Sequence, residues 1–144
     1  MDRFFSQILH DGPDAMLIAD REGRIRFWNA GAERMFGYAA AEVLGGSLDL
    51  IIPANLRPRH WQGYFRVMET GETSYRTDLL TSPGLRKDGS RLSLEFSIVL
   101  LRDEQGAMAG CAAILRDVTG RWNKEKELKQ RLAACEGRLA NGSA

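Results

Sequence analysis

The segment RLSLEFSIVLL, residues 91–101, constrains the fold of this chain more than any other stretch of its sequence. Apolar residues occupy every second position, which is the pattern of a β-strand with one apolar face. The residues on that face are Leu92, Leu94, Phe96, Ile98 and Leu100. A turn at 103–106 leads into a second apolar run, AMAGCAAILRDVT, which is predicted as the last strand.

Three more strands are predicted upstream. DAMLIAD and RIRFWN are joined by turn residues at 20–23 and indicate a β-hairpin. TSYRTDLL (73–80) indicates a third strand, and SPGLRKDG (82–89) is predicted to turn into the long strand. Helical segments, the longest at 54–70, separate the hairpin from the other strands. We therefore expect an α+β domain, with helices on one face of a five-stranded antiparallel sheet.

Size and composition narrow the function classes. A chain of 144 residues with 44% hydrophobic residues fits one globular domain. A net charge of +1 provides no basic field, so direct binding to nucleic acid is not expected. Cys111 and Cys135 lack the spacing of a zinc site or disulfide scaffold, which favours a reducing cytoplasm. Neither a signal peptide nor an apolar run of membrane-spanning length is present, so no membrane partner is expected.

The two ends of the chain differ from the domain at residues 12–120. Residues 1–11 predict an amphipathic helix with Phe5, Ile8 and Leu9 on one side. Residues 121–144 predict a charged helix with a frayed end. Its coiled-coil seam is Leu128, Leu132, Cys135 and Leu139, at steps of four, three and four. Two apolar stripes outside the sheet predict a parallel homodimer.

Catalytic chemistry has no visible basis in the sequence. His10 and His60 are the only imidazoles, and neither lies in a nucleophile–base motif. Gly45-Gly46 is not followed by the Lys-Ser/Thr pair of a phosphate-binding loop. The chain is therefore predicted not to be an enzyme.

Several local motifs occur in the order found in one sensor family. They are DAMLIADREGRIRFWNAGAERMFGY, a glycine break before IIP, R-x-R-H-x-x-G followed by TGE, RKDGS before a long strand, and RDVT leading into a helix. Over residues 12–120 the chain thus resembles the PAS sensor family. The resemblance implies a strand order of 2-1-5-4-3 and a ligand pocket between the concave face of the sheet and the helices. It also implies a signalling module that serves a kinase, cyclase, phosphodiesterase or transcription factor not present in this chain.

The resemblance assigns roles to three polar residues. Asp117 and Thr119 match the D-x-T junction at which the last strand of the family passes its state to the following helix. Asn29 matches the asparagine at the start of the helix after the second strand. From the sequence alone, Asn29 either caps that helix through a backbone N–H or contacts a ligand.

The segment IIPANLRPRHWQGYFR resembles the helix that carries the iron ligand in the heme-binding, FixL-like subgroup. The resemblance implies that His60 ligates heme iron and that Arg66 binds a propionate. The expected pocket walls are, on the helical side, Ile52, Leu56, Tyr64 and Val67, and on the sheet side, Leu79, Leu92, Leu94 and Cys111. Leu80 lies where the oxygen sensors of the family carry an arginine, and Asp78 lies where the phosphodiesterase carries a methionine. An apolar Leu80 favours a response to carbon monoxide, nitric oxide or redox state over tight oxygen binding.

Two other interpretations of this region stay open. Arg57 and Arg59 lie close to His60 in the sequence, a pattern that a solvated helix would also have. In that interpretation the three residues bind no ligand, and the domain serves for dimerisation or as a scaffold. Flavin is a further alternative. The light-sensing subclass needs a reactive cysteine where this chain reads GSLDLII, so a flavin here would bind without a covalent bond.

Overall fold

The computed structural model describes residues 1–73 and 79–141. Within those residues, five antiparallel strands form one sheet in the order β2-β1-β5-β4-β3, as the resemblance implied. The strands are β1 (Ala15–Asp20), β2 (Ile25–Trp28), β3 (Leu80–Leu85), β4 (Arg91–Arg102) and β5 (Met108–Asp117). The predicted α+β class and strand order are both confirmed.

Five α-helices surround this sheet in the described residues. They are α1 (Asp2–Asp11), α2 (Ala30–Phe36), α3 (Ala40–Val43), α4 (Arg57–Thr70) and α5 (Thr119–Asn141). Two 3₁₀ turns, Leu48–Ile51 and Ala54–Leu56, lie between α3 and α4. No helix in these ranges is both long enough and apolar enough to cross a membrane.

The third strand departs from its prediction. The sequence placed a strand at 73–80 and a turn at 82–89, but β3 extends through Ser82, Pro83 and Gly84 to Leu85. Proline is tolerated there because β3 is an edge strand, where a missing N–H need not cost a ladder hydrogen bond. Residues 74–78 of the predicted strand lie outside the described residues.

The register of the sheet shows which side chains share a face. Leu80 pairs with Phe96, which pairs with Leu115 of β5, and Leu100 pairs with Cys111. Paired residues point to the same side and alternate residues point to opposite sides. The inner face therefore carries Leu17, Ala19, Leu80, Leu92, Leu94, Phe96, Ile98, Leu100, Cys111, Ala113 and Leu115.

The core lies between this inner face and the helices. Leu17, Leu94 and Leu115 of the sheet belong to one buried cluster with Phe36 of α2 and Val43 of α3. The two terminal helices instead contact the outer face. His10 of α1 packs against Phe27, and Arg121 of α5 pairs with Glu95. The outer face is thus in contact with both ends of the chain.

Candidate functional site

One side of α4 faces the interior of the domain. Met68 is buried, with 4% of its surface exposed, and His60, Tyr64 and Val67 are partly buried. Tyr64 lies four residues after His60, and Val67 and Met68 lie three and four residues after Tyr64, which places all four on one helix face. Arg66 lies on the exposed side of the same helix.

Two aromatic side chains attach α4 to the β1–β2 turn. The indole N–H of Trp61 donates a hydrogen bond of 2.7 Å to Asp49, and its ring covers Gly23. A Cβ on Gly23, whose φ is +81°, would lie 2.1 Å from that ring, so the contact requires glycine. The hydroxyl of Tyr64 donates to the backbone carbonyl of Asp20. Together these contacts fix the part of α4 that carries His60.

The His60 ring lies within this aromatic group. Its centroid is 5.8 Å from the Tyr64 ring, which it stacks against, and 4.7 Å from the edge-on Trp61 ring. Its Nδ1 atom is buried and has no hydrogen-bond partner among the described residues. Burial lowers the pKa of His60, and the nearby Asp49 carboxylate only partly opposes that shift. His60 is therefore kept neutral at neutral pH, and neutral imidazole is the form that ligates metals.

The sheet side of the site is apolar and incompletely covered. Leu92 and Leu94 are buried in the core, whereas Leu80 and Cys111 are only partly buried on the same inner face. The other partly buried residues of that face are Phe96, Ile98, Leu100 and Ala113. Burial raises the pKa of the Cys111 thiol to about 11, so Cys111 is a neutral, apolar wall residue at neutral pH. Tyr64 is also uncharged, since burial, assisted by Cys111 and Asp20, raises the pKa of its phenol.

Leu79 does not lie on this wall. It precedes β3, is 65% exposed, and is one residue out of phase with Leu80 on the inner face. Successive strand residues point to opposite sides, so a shift of one position reverses the assignment. On the helical side, Ile52 packs against the core and Leu56 is partly buried. Asp78 lies outside the described residues.

The junction residues form a second polar site at the end of β5. Asp117 accepts hydrogen bonds from the backbone N–H and the hydroxyl of Thr119, and from Arg86 at 3.1 Å. The N–H of Ser93 donates to the Thr119 hydroxyl at 2.9 Å. Partial burial acts to raise the pKa of Asp117, but the bonds from Thr119 and Arg86 outweigh it and hold that pKa below its ordinary range.

Some contacts of both sites were missed at the sequence level. The bond between Trp61 and Asp49 joins residues 12 positions apart, and the Arg86–Asp117 bond joins residues 31 positions apart. The RKDGS motif marks the region of Arg86, but no local pattern identifies its partner. A groove of about 580 Å³ between β3, β4 and the first turns of α5, partly lined by Pro83 and Trp122, was also not predicted.

Comparison with known proteins identifies the family. A family model described as the PAS fold matches residues 9–122, and the chain belongs to the PAS family. The PAS domain of a protein from Colwellia psychrerythraea has the same fold, with a TM-score of 0.71 and 22% identity, over 82% of this chain and 97% of that one.

Two full-length relatives are sensor proteins. The sensor protein FixL of Bradyrhizobium diazoefficiens is 28% identical over 123 residues, which are 85% of this chain and 24% of FixL. The oxygen sensor protein DosP of Escherichia coli is 27% identical over 134 residues, 92% of this chain and 16% of DosP. The chain thus spans a quarter or less of the length of either relative.

The residues at the α4 site fit heme. A heme needs an apolar slot and a neutral imidazole as its iron ligand. The partly covered inner face supplies apolar side chains, and His60, with its lowered pKa and unpartnered nitrogen, supplies the imidazole.

Proposed function

We propose that this PAS domain is a sensory module that binds heme at His60 and transmits the state of the site through α5. The observation that carries the proposal is a buried imidazole nitrogen without a partner, on a helix facing an incompletely covered apolar sheet. Unpaired buried polar atoms are rare in folded proteins and call for an explanation. Ligation of a metal centre beside this ring gives the unpaired imidazole a role.

Several residues would have defined tasks in this function. His60 would hold the iron, while Trp61 and Tyr64 keep α4 in place through Asp49 and Asp20. Heme bound there supplies an iron centre that responds to diatomic gases or to redox state. Arg66 would reach a propionate from the exposed side of α4, where its guanidinium can form a charge-assisted bond.

The opposite wall bears on what is sensed. Leu80 lies on the inner face and has no hydrogen-bond donor in its side chain. Leu92, Leu94 and Cys111 continue the wall, and the Cys111 thiol stays protonated at neutral pH. A wall of this kind favours carbon monoxide, nitric oxide or redox sensing over tight oxygen binding.

The module is proposed to act as a homodimer beside an effector domain or partner protein such as a kinase or phosphodiesterase. Large apolar side chains are exposed at both ends of the chain, on α1 and on the seam of α5. They are Phe4, Phe5, Ile8, Leu9, Leu128, Leu132 and Leu139. Cys111 and Cys135 are both free thiols, which supports a reducing cytoplasm as its location. The same exposed stripes also support the second candidate, a dimerisation scaffold that binds no ligand.

Titration of the purified protein with hemin tests the proposal. We expect a Soret band in the wild type, its loss in His60→Ala, and its retention in the control His10→Ala, which removes the exposed histidine of α1. Arg66→Ala should weaken heme retention less than His60→Ala, since it removes a propionate contact rather than the iron bond. A wild type that stays colourless, or a His60→Ala protein that binds heme equally well, would contradict the heme assignment. A flavin spectrum in the purified protein would favour flavin instead.

A further inference from the structure

The β3–β4 turn, residues 86–90, contacts both the helical layer and the start of α5. We propose that this turn mechanically couples α2 and α3 to α5, with Arg86 as the residue that positions Asp117. The inference rests on the proposed function in one respect, namely that α5 carries the signal away from the domain. It assigns a route by which a change in the helical layer reaches α5 through the β3–β4 turn and Asp117, the last residue of β5.

Lys87 connects the turn to the helical layer. Its backbone N–H donates a hydrogen bond of 2.8 Å to the carbonyl of Phe36, the last residue of α2. Its ammonium pairs with Glu42 of α3 and lies 5.7 Å from the centroid of the Tyr38 ring. Phe36 is fully buried in the core. A displacement of α2 or α3 is therefore transferred to Lys87 through both its backbone and its side chain.

Arg86 connects the same turn to the α5 junction. One guanidinium nitrogen donates to Asp117 at 3.1 Å, and the other donates to the hydroxyl of Ser90 and the carbonyl of Arg91 at 3.1 and 3.3 Å. The side chains of Arg86 and Asp117 are only 30% and 35% exposed. Three hydrogen bonds and partial burial restrict the motion of the Arg86 guanidinium far more than the contact in an ordinary surface ion pair does.

Asp117 uses its two carboxylate oxygens for different purposes. Oδ2 accepts from Arg86, whereas Oδ1 accepts from the backbone N–H of Thr119 at 2.9 Å and from its hydroxyl. Thr119 begins α5, and its hydroxyl oxygen also accepts from the N–H of Ser93. A single carboxylate thus joins the β3–β4 turn to the first residue of α5.

The turn between these contacts is held as a unit. Asp88 accepts hydrogen bonds from the N–H and hydroxyl of Ser90 at 2.8 and 2.6 Å. The N–H of Gly89, which has a φ of +87°, donates to the carbonyl of Arg86 at 2.9 Å. These local bonds resist deformation, so Arg86 and Lys87 move together.

Amide hydrogen exchange of the chain without added heme tests this coupling. In Lys87→Gln, which touches neither Asp117 nor α5, we expect exchange in residues 119–126 to become about three- to tenfold faster, alongside exchange in α2 and α3. Arg86→Gln should accelerate exchange in residues 119–126 to a similar degree. In a combined Arg86→Gln/Asp117→Asn variant the effect should be less than additive, because both changes break the same bond. The matched control is Arg131→Gln, which breaks an ion pair within α5 and should leave α2 and α3 unchanged.

Unchanged exchange at 119–126 in Lys87→Gln would overturn the coupling, and unchanged exchange there in Arg86→Gln would overturn the role of Arg86. If either variant fails to fold, salt applied to the wild type gives an independent measurement, because salt screens partly exposed ion pairs. Exchange at 119–126 should then rise with salt, and a salt-independent rate would overturn the proposal. Since no heme is present, failure here is separate from failure of the hemin titration.

Discussion

The side-chain amide of Asn29 donates a hydrogen bond of 2.9 Å to the carbonyl of Leu9, in the last turn of α1. The same amide donates to the carbonyl of Asp14 at 3.0 Å. Its oxygen accepts from the N–H of Met16 at 2.8 Å and of Ala32 at 2.9 Å. Of the two roles that the sequence left open, Asn29 thus has that of the helix cap, and its four bonds leave no capacity for a ligand.

Replacing Asn29 should cost substantial stability. Asn29 is 1% exposed, so Asn29→Ala leaves several backbone groups without partners inside the protein. We expect a loss of about 3 kcal/mol in the free energy of unfolding, measured by urea denaturation. The control Asn55→Ala removes an exposed asparagine that accepts one bond from Arg91, and it should change stability by no more than about 0.5 kcal/mol. Equal losses in the two variants would contradict this account of Asn29.

The lowered pKa of His60 makes stability depend on pH. At pH values well above the ordinary value of 6.5, His60 is neutral in both the folded and the unfolded state, so its burial carries no charge penalty. As pH falls from 6.5 through the lowered folded-state pKa, the unfolded chain binds a proton more readily than the folded protein, and stability is lost.

Thermal unfolding followed from about pH 8 to about pH 5 measures this effect. The loss of Tm in the acidic half of that range should be smaller in His60→Gln than in the wild type. His10→Gln serves as the control and should retain the wild-type dependence. Parallel pH profiles for the wild type and His60→Gln would show that burial does not keep His60 neutral.

Two helical glycines should respond in opposite ways to the same substitution. A Cβ at Gly63, on the exposed side of α4, would meet nothing within 4 Å, whereas one at Gly31 of α2 would lie 2.3 Å from the carbonyl oxygen of Asp14. Gly63→Ala should therefore stabilise the protein by about 0.5–1 kcal/mol, because alanine has the higher helix propensity. Gly31→Ala should destabilise it by about 2 kcal/mol, because the backbone of Asp14 must move. Urea denaturation measures the free energy of unfolding of both variants. A change in the same direction in both would contradict the prediction.

Cys135 provides a direct test of parallel dimerisation. It lies exposed in the seam between Leu132 and Leu139, where identical residues meet across a parallel, in-register coiled coil. Oxidation with copper phenanthroline should therefore remove two thiol hydrogens and produce a disulfide-linked dimer. The band should persist in Cys111→Ser and vanish in Cys135→Ser. A protein that sediments as a monomer at high concentration and forms no such band would exclude the parallel arrangement.

The periodic part of the fold was accessible from the sequence, and the tertiary contacts were not. Alternation in β4 predicted Leu92 and Leu94 on one face, and the strand pairing confirms that face. The assignment of Leu79 to the inner face is wrong by one position, because the run before β3 has no comparable alternation that would set its phase. Pro83-Gly84 predicts a turn because that dipeptide is a strong local turn signal, but an edge strand accepts it and β3 continues through it.

Long-range polar contacts set a second limit. The local pattern after β2 indicated a helix cap as one role of Asn29, and in the structure Asn29 accepts the capping bond from the N–H of Ala32, three residues away. Its bond to Leu9, 20 residues upstream, depends on where α1 ends in space. The same limit applies to Arg86 and Asp117, whose pairing follows from the sheet topology rather than from either motif alone.

The partly covered inner face of β3, β4 and β5 affects how much of the protein a cell retains. The exposed parts of apolar side chains such as Phe96, Ile98 and Leu100 stabilise the folded protein only when a bound molecule removes them from water. A molecule that binds only the folded protein raises the free energy of unfolding. At concentrations above Kd, this increase grows with the logarithm of the ratio of the molecule's concentration to Kd. The occupant of the site would then act as a folding partner as well as a signal, and protein made without it would be degraded faster by proteases that remove unfolded chains.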